Sequence, residues 1–422
     1  MIRDAGGTTR RSSFANDLFS RELLRYLGPG FVVTIGFIDP GNWATNIAGG
    51  SEFGFGLLWV ISLSTLMLIF LQHLAAKLGI VTGRSLAANV RAHFSPAWVW
   101  VFGVTIVLAC AATELAEYLG AALGFALLLH IPVYVGAPLT LIAVAALILG
   151  QQYHRLERVI VAFLAVIAVC YIVELLLVHA DMASAAPHWV VPDLSGKSIL
   201  VALAILGAIV MPHNLYLHSD VILSREWDID LRQRERLMHF ELADTTLAMV
   251  LGWLVNSAMI IVAAEVFFHK GVVVSSIAQA SQTLRPLAGP LAQALFGVAL
   301  LAAGLASSVT SSLATANIVT GYLDRPEDTH SRLYRLSLVV VPIPALIIIA
   351  TGLNPYRVLI ISHVVLSIQL PLTIVPLLVL VRRRAVMREY HSGTISSATG
   401  VLVAAIVIAL NVFFFFQMIG GL

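Results

Sequence analysis

Asp39-Pro40-Gly41-Asn42 interrupts an apolar run, residues 31–48, that is otherwise long enough to enter a lipid bilayer. Proline breaks a helix because it lacks a backbone N–H and clashes with the preceding turn. An ionisable side chain at bilayer depth is costly and marks a functional site by default. Broken helix is tolerated at that depth only where protein or a water-filled cavity surrounds it. The stretch therefore predicts a polar site in the middle of a membrane.

A second interruption has the same character. Met211-Pro212-His213-Asn214 divides the apolar run 199–217, and Pro40 and Pro212 are 172 positions apart. Two broken helices in corresponding halves of a chain are typical of transporters built from inverted repeats, with the binding site at the repeat interface. Two unrelated proline kinks are the simpler alternative, since kinks are common in membrane helices. The polar residues beside both prolines favour the paired site.

The composition supports a membrane protein. Of 422 residues, 59% are hydrophobic and only 11% are charged, whereas about a quarter of the residues in a soluble domain are charged. The apolar runs are long and continuous, which excludes an alternating membrane barrel. Phosphate-binding, nucleophile and zinc-hydrolase motifs are absent, and Cys110 and Cys170 have no metal-site spacing. We expect no enzyme, no cofactor and no nucleic-acid partner.

The hydropathy pattern predicts an all-α polytopic protein with eleven spans, each of about 20 residues. These are 29–50, 55–79, 97–125, 133–150, 157–179, 198–219, 242–267, 290–319, 334–352, 355–381 and 396–418. With the N-terminus in the cytoplasm, 21 of the 25 lysines and arginines fall on the cytoplasmic side, which predicts that orientation and an outer C-terminus. The expected organisation is a cytoplasmic tail (1–26), two inverted five-helix repeats (27–180 and 181–381), and a loop with span 11 (382–422).

The donor atoms at the two interruptions indicate a class of ion. Asp39 and Asn42 offer hard oxygens, which alone suit Mg²⁺ or Ca²⁺. The thioether of Met211 favours softer ions such as Mn²⁺, Fe²⁺, Co²⁺ or Cd²⁺. The carbonyl of Ala208 lies four residues before Pro212, so it loses its usual helix partner and becomes available. Plain packing is the alternative for Met211, because methionine commonly fills gaps in cores.

A second group of buried polar residues could carry protons. The candidates are Asp39, Glu114, Glu117, His213, His218 and His363. Glu114 and Glu117 are three residues apart on one helical face. A divalent ion that arrives at a carboxylate displaces its proton. The alternative for Glu117 and His218 is that they are structural hydrogen-bond partners within the bundle.

The two interruptions and their surroundings resemble the Nramp family of divalent-metal transporters. The resemblance covers most of residues 25–380. Beside the two motifs, it rests on Gly36-Phe37-Ile38, Ala44-Thr45-Asn46-Ile47, Lys77-Leu78-Gly79-Ile80, Thr82-Gly83, Leu115-Ala116-Glu117, Gly120 and Leu215-Tyr216-Leu217-His218-Ser219.

The resemblance implies a leucine-transporter-like fold, in which two inverted five-helix repeats are followed by one extra helix. It implies import of Mn²⁺, Fe²⁺, Cd²⁺ and Co²⁺ by H⁺ symport. The short loops and tails favour a bacterial cytoplasmic membrane. The metal would be held by Asp39, Asn42, Ala208 and Met211. Glu114, Glu117, His213 and Arg335 fall at positions that the family uses for proton movement. We expect a monomer whose only partners are the two substrates and the lipid.

Four positions depart from the family pattern. His363 stands where glutamine is common, so it could bind the ion directly or move protons. Glu114 replaces aspartate, Leu336 replaces a second arginine, and Leu305-Ala306-Ser307 lacks the usual glutamine. These departures affect the proton route more than the metal site.

Other functions stay open at this stage. The same fold could carry Mg²⁺ or a sodium-coupled organic solute, and a metal sensor or a channel could share the site. The presence of Ala208 and Met211 argues against the magnesium-transporting relatives.

Overall fold

The computed structural model describes residues 27–150, 153–193, 198–224, 231–274, 276–326 and 328–420, and every regular element within these ranges is a helix. The helices of eight or more residues are α1 (Pro29–Gly36), α2 (Pro40–Phe53), α3 (Leu58–Thr82), α4 (Leu86–His93), α5 (Pro96–Leu129), α6 (Val133–Gly150), α7 (Tyr153–Val178), α8 (Ser198–Ile209), α9 (Pro212–Val221), α10 (Leu231–Val266), α11 (Ile277–Tyr322), α12 (Arg332–Val340), α13 (Ile343–Ala350), α14 (Pro355–Arg382) and α15 (Thr394–Gly420). Short α-helices cover Met182–Ala185 and Arg384–Met387, and 3-10 turns cover Ala186–Trp189, Ile222–Ser224, Phe268–Lys270 and Arg388–Tyr390.

Ten helical segments within the described residues are long and apolar enough to cross a membrane. The predicted first span is not among them, because it is divided into α1 and α2 and neither part is long enough alone. Each predicted span thus has a helical counterpart, and the all-α prediction is confirmed. The predicted tail, residues 1–26, lies outside the described residues, and the repeat boundaries stay a prediction.

Three spans differ from the prediction in their limits. Helix α10 begins at Leu231, eleven residues before the predicted start of span 7. Helix α11 is interrupted at Gly289, whose φ of 87° lies in the region that favours glycine. The predicted ninth span is divided into α12 and α13 around Val341-Pro342, where proline removes a helical hydrogen bond.

The first interruption ends α1 in a tight turn. The amides of Phe37 and Ile38 donate to carbonyls only three residues earlier, at 3.2 and 3.1 Å. Asp39 is extended (φ −72°, ψ 163°), and its carboxylate accepts hydrogen bonds from the backbone amides of Gly41 and Asn42. A carboxylate in this position satisfies amides of the first helical turn and complements the helix dipole. Asp39 therefore starts α2 as well as carrying charge.

The second interruption separates α8 from α9. Met211 is extended (φ −86°, ψ 131°), and its side chain makes no capping hydrogen bond to the first turn of α9. Pro212 occupies the first helical position, where its missing N–H costs nothing. Because Pro212 has no N–H, the carbonyl of Ala208 four residues earlier lacks its usual helical partner.

Close packing brings the two interruptions together. Helix α8 packs on α2, and α9 packs on α1 and α3. Gly120 of α5 lies against the ring of Pro40, and any side chain at this glycine would collide with that ring. Asp244 of α10 accepts hydrogen bonds from the amides of Gly28 and Gly30, at 2.9 and 2.7 Å, and so fixes the start of α1.

Candidate metal site

The two interruptions contact each other at the side-chain amide of Asn42. Its Nδ2 atom lies 2.7 Å from Oδ1 of Asp39, 2.8 Å from the carbonyl oxygen of Phe37 and 3.0 Å from that of Ala208. An NH₂ group has two hydrogens, so three acceptors converge on two donors. Oδ1 of Asn42 is buried and has no hydrogen-bond partner in the described part of the chain. This arrangement of oxygens, with one carboxylate and two backbone carbonyls, suits a cation.

His363 of α14 lies beside the carboxylate of Asp39. Its Nε2 atom lies 3.4 Å from Oδ2 of Asp39. Its Nδ1 atom lies 2.8 Å from the carbonyl oxygen of Leu359 and donates to it, which leaves Nε2 facing the carboxylate. The ring fits only because residue 41 is glycine, since a side-chain carbon there would collide with it.

Met211 and Ala208 are both fully buried at the second interruption. The carbonyl of Ala208 reaches Asn42, so the structure brings together the interruptions that the sequence pairs. Asn214, two residues beyond Pro212, is also fully buried, and neither side-chain polar atom has a partner among the described residues. A side chain at Gly36 would collide with the amide of Asn214, so this part of α1 lies against the start of α9.

Three titratable side chains lie beside this centre. Glu117 is fully buried, interacts electrostatically with Asp39 and Glu114, and has no hydrogen-bond partner in the described ranges. Glu114 accepts hydrogen bonds of 2.9 and 3.1 Å from the hydroxyl of Ser312. These side chains form a buried polar line along α5.

His213 adds an imidazole to the same region. Its Nδ1 atom lies 3.3 Å from the hydroxyl of Thr113, which itself donates to the carbonyl of Ala109 at 3.0 Å. Because that hydroxyl proton is committed, Nδ1 of His213 is the donor and the buried Nε2 is left without a partner in the described structure.

His218 belongs to a separate network near the cytoplasmic ends predicted for α3 and α10. Its Nδ1 atom donates to Oε1 of Gln72 at 3.0 Å, and its Nε2 atom lies 4.0 Å from Oε1 of Glu241. Oε2 of Glu241 pairs with Nδ1 of His73 at 2.7 Å. The side chain of His73 is 25% exposed, so the network connects a buried histidine to the surface.

Arg335 lies outside these clusters. Its side chain is exposed, and Nε donates to the carbonyl of Thr329 at 2.9 Å. Within the described residues, His, Cys, Asp and Glu form no group of three or more that could hold a metal ion. The central site instead combines one carboxylate with amide, carbonyl and thioether donors.

Several buried polar residues were not predicted from the sequence. Asn256 donates to the carbonyls of Phe37 and Gly252, at 3.3 and 3.0 Å. Glu241 and Asp244 are buried in the first half of α10, beside the predicted start of span 7 at residue 242. Glu174 is fully buried near the end of α7. The available signal for Glu174 was an acid deep within the apolar run of span 5, well beyond Glu157 at its start.

Comparison with known proteins gives a consistent result. The family model described as "Natural resistance-associated macrophage protein-like" matches residues 30–417. The divalent metal cation transporter MntH of Caldanaerobacter subterraneus subsp. tengcongensis is 39% identical over 405 residues, covering 95% of each chain.

Solved structures also match. A single-site variant of the Eremococcus coleocola manganese transporter superposes with a TM-score of 0.81 at 29% identity, over 98% of this chain and 88% of that one. MhsT in complex with L-phenylalanine superposes with a TM-score of 0.62 at 14% identity, over 92% of this chain and 98% of that one. The second match shows a shared fold only. The expected leucine-transporter-like architecture is confirmed.

Proposed function

The chain belongs to the Nramp family of multi-pass divalent metal cation transporters, and from that premise we propose that it imports Mn²⁺ by H⁺ symport. Fe²⁺, Cd²⁺ and Co²⁺ are further substrates in this proposal. The protein works by alternating access in the bacterial cytoplasmic membrane, with its N-terminus inside, and acts as a monomer.

The observation that carries the proposal is the convergence on Asn42. The carboxylate of Asp39 and the carbonyl of Ala208 both lie within 3.0 Å of its amide nitrogen. When an ion replaces that nitrogen, rotation of the amide turns the free Oδ1 toward the ion. Asp39, Asn42 and the carbonyl of Ala208 then supply oxygens, while the sulfur of Met211 adds the soft donor that favours transition ions.

We propose His363 as a fifth donor to the ion, beside Asp39, Asn42, Ala208 and Met211. Its Nε2 atom already faces Oδ2 of Asp39 at 3.4 Å. Imidazole binds transition ions well and Mg²⁺ or Ca²⁺ poorly, so this residue would reinforce the selectivity given by Met211. It would also take up or release a proton when the ion arrives.

The proton route begins at Asp39. An ion binds the carboxylate only when it is deprotonated, and Glu117 and Glu114 follow along α5 as the next acceptors. His213 lies beside the same helix through Thr113. His218, with Glu241 and His73, provides the exit to the cytoplasm. The participation of Arg335 stays a prediction, because its exposed side chain is bonded to Thr329.

The test is uptake by the purified full chain in liposomes. Mn²⁺ influx and internal pH are followed together under an inward proton gradient. We expect Mn²⁺ influx accompanied by acidification, and competition by Fe²⁺, Co²⁺ and Cd²⁺ but only weakly by Mg²⁺ and Ca²⁺. Flux of Mg²⁺ alone, sodium-driven uptake of an amino acid, or Mn²⁺ binding without flux would reject the proposal.

A further inference from the structure

A groove opens between α5 and α12 in the half of the bundle that the lysine and arginine distribution places toward the cytoplasm. Its volume is about 520 Å³, which lies within the range of sites that hold small molecules. Helix α13 packs on α5 and α12 packs on α11, and the groove reaches Val341, beside the break between α12 and α13. The division of the ninth span at Pro342 therefore borders a space large enough for a ligand.

The walls of the groove are apolar and open toward the lipid. Val104 and Leu108 on α5 and Leu336 and Val340 on α12 line it, and each is between 46% and 61% exposed. Both helices belong to segments that can cross a membrane, so the exposed walls meet hydrocarbon. Along α5 the lining runs from Val99 to Leu108, a rise of about 14 Å. This is close to half of a hydrocarbon core about 30 Å thick, the depth that one lipid tail occupies.

The cytoplasmic end of the groove carries a positive charge. Arg91 of α4 lines it, is exposed, and forms no ion pair with another described residue. Trp100, in the second turn of α5, also lines the groove and is 65% exposed. Tryptophan is enriched at the level of the lipid headgroups. A guanidinium at that level matches a phosphate in both charge and geometry.

Tyr322 connects the groove to the interior of the bundle. It lines the groove, and its hydroxyl lies 2.6 Å from the hydroxyl of Tyr216. Tyr216 belongs to α9, which begins at the second interruption. A molecule in the groove therefore packs against the residue that links the end of α11 to α9.

We propose that the groove binds an anionic phospholipid of the cytoplasmic leaflet, with one acyl tail between α5 and α12 and the phosphate at Arg91. The groove opens to hydrocarbon, its length along α5 fits a single leaflet, and its charged end lies beside Trp100 at headgroup level. A zwitterionic headgroup would bring a second cation beside Arg91, so a lipid with a net negative charge is favoured. This site goes beyond the proposed transport activity, and its occupation is measured without any metal ion.

Lipid titration of the purified full chain in a neutral detergent tests the site. A ligand that binds only the folded protein raises its unfolding temperature in a concentration-dependent way. We expect phosphatidylglycerol to give a saturable rise and phosphatidylcholine a much smaller one. Arg91→Gln should raise the apparent Kd for phosphatidylglycerol about fivefold, which corresponds to about 1 kcal/mol for one arginine at an anionic headgroup. Equal stabilisation by the two lipids overturns the proposal.

Arg84→Gln is the matched control for the charge. Arg84 is also exposed, just beyond the end of α3, but it does not line the groove. We expect this variant to keep the wild-type apparent Kd. Equal losses in the Arg84 and Arg91 variants would show that the lipid responds only to the overall charge of this surface, which overturns a defined site.

Filling the groove tests the position of the acyl tail. Val340→Trp places an indole between α5 and α12 and is expected to weaken phosphatidylglycerol binding at least about tenfold. Val339→Trp adds the same side chain at a neighbouring position that is 45% exposed but does not line the groove, and it should keep wild-type binding. Glycerol phosphate, which has an anionic phosphate and no tail, should leave the unfolding temperature unchanged. Phosphatidylglycerol binding that survives Val340→Trp, or stabilisation by glycerol phosphate alone, overturns the acyl-chain site.

Discussion

The side-chain nitrogen of Asn42 lies 3.0 Å from the carbonyl oxygen of Ala208, 166 positions along the chain. Each residue belongs to a different interrupted helix, and the carbonyl of Ala208 is available because Pro212, four residues later, lacks the N–H that would bind it in a continuous helix. The contact therefore aligns the two interruptions across the centre of the bundle. It also leaves three acceptors around one NH₂ group, an excess of oxygen that a cation can relieve.

Asp39→Asn tests the charge at this centre. An asparagine oxygen can still accept the hydrogen bond from the amide of Asn42, and asparagine is a preferred residue at helix starts, so α2 should begin at the same place although the bond from the amide of Gly41 is lost. One unit of charge near an ion at about 4 Å is worth about 4 kcal/mol per unit of ion charge at an effective dielectric constant of 20. We expect Mn²⁺ binding at the central site to weaken by at least about 100-fold, measured by calorimetry on the full chain.

The control for this change is Asp181→Asn. Asp181 caps the short helix Met182–Ala185 at an exposed position, so it also combines a carboxylate with a helix start. Its replacement should leave Mn²⁺ binding unchanged. Wild-type affinity in Asp39→Asn would exclude the carboxylate as a ligand.

Met211→Leu tests the thioether. Leucine nearly conserves the volume of this fully buried side chain, and such exchanges usually cost less than about 1.5 kcal/mol of stability. Because the sulfur contributes to soft ions and little to Ca²⁺ or Mg²⁺, discrimination against these two ions should weaken more than Mn²⁺ uptake does. The measurement is inhibition of Mn²⁺ uptake by Ca²⁺ across a concentration series.

Met249→Leu is a suitable control for the thioether. Met249 is also fully buried, but its sulfur lies 3.7 Å from the hydroxyl of Thr34, away from the second interruption. It should keep wild-type discrimination. If Met211→Leu loses uptake of all ions equally, the sulfur takes no part in selectivity.

The sequence predicts much of this fold because bilayer thickness fixes the length of each apolar run. The interruptions at Pro40 and Pro212 were predictable because polar residues stand beside each proline in an apolar run. Proline alone is not sufficient, since Pro138 lies within α6 and Pro371 and Pro376 lie within α14. Pro342 is a similar indication that the ninth span is divided, but the hydropathy of the sequence alone does not reveal this division. The start of α10 at Leu231 was missed because its first turns are too polar to resemble a span.

Contacts between residues far apart in the chain could not be predicted from the sequence. Nothing local to Asn256 indicates that it shares the carbonyl of Phe37 with Asn42, since that depends on how α10 packs on α2. The placement of His363 over Asp39 depends likewise on packing around Gly41. The ligand roles of Asp39, Asn42, Ala208, Met211 and His363 stay predictions that the variants above and below address.

His363→Gln tests the departure from the family pattern. Nε2 of His363 lies 3.4 Å from Oδ2 of Asp39, close enough for an ion at Asp39 to contact both. Imidazole prefers Cd²⁺ to Mn²⁺ more strongly than an amide oxygen does. We expect Cd²⁺ affinity to fall about tenfold and Mn²⁺ affinity to change less, by competition calorimetry.

The exposed His330, which pairs with Asp328 at 3.0 Å, offers the control variant His330→Gln. Parallel losses of Cd²⁺ and Mn²⁺ affinity in His363→Gln would show that the imidazole does not contact the ion.

Gly120→Ala tests whether close contact between α5 and Pro40 holds the first interruption in place. A methyl group at this position would collide with the proline ring, and overpacking of this kind costs about 1–3 kcal/mol. We expect a lower unfolding temperature in detergent and weaker Mn²⁺ binding, because relief of the collision displaces Asp39 relative to Ala208.

Gly150→Ala is the matched control: a side-chain carbon there meets no described atom within 4 Å, and alanine favours a helix more than glycine does. It should leave binding unchanged and stability equal or slightly higher. If Gly120→Ala retains wild-type stability and affinity, the position of Pro40 does not depend on α5.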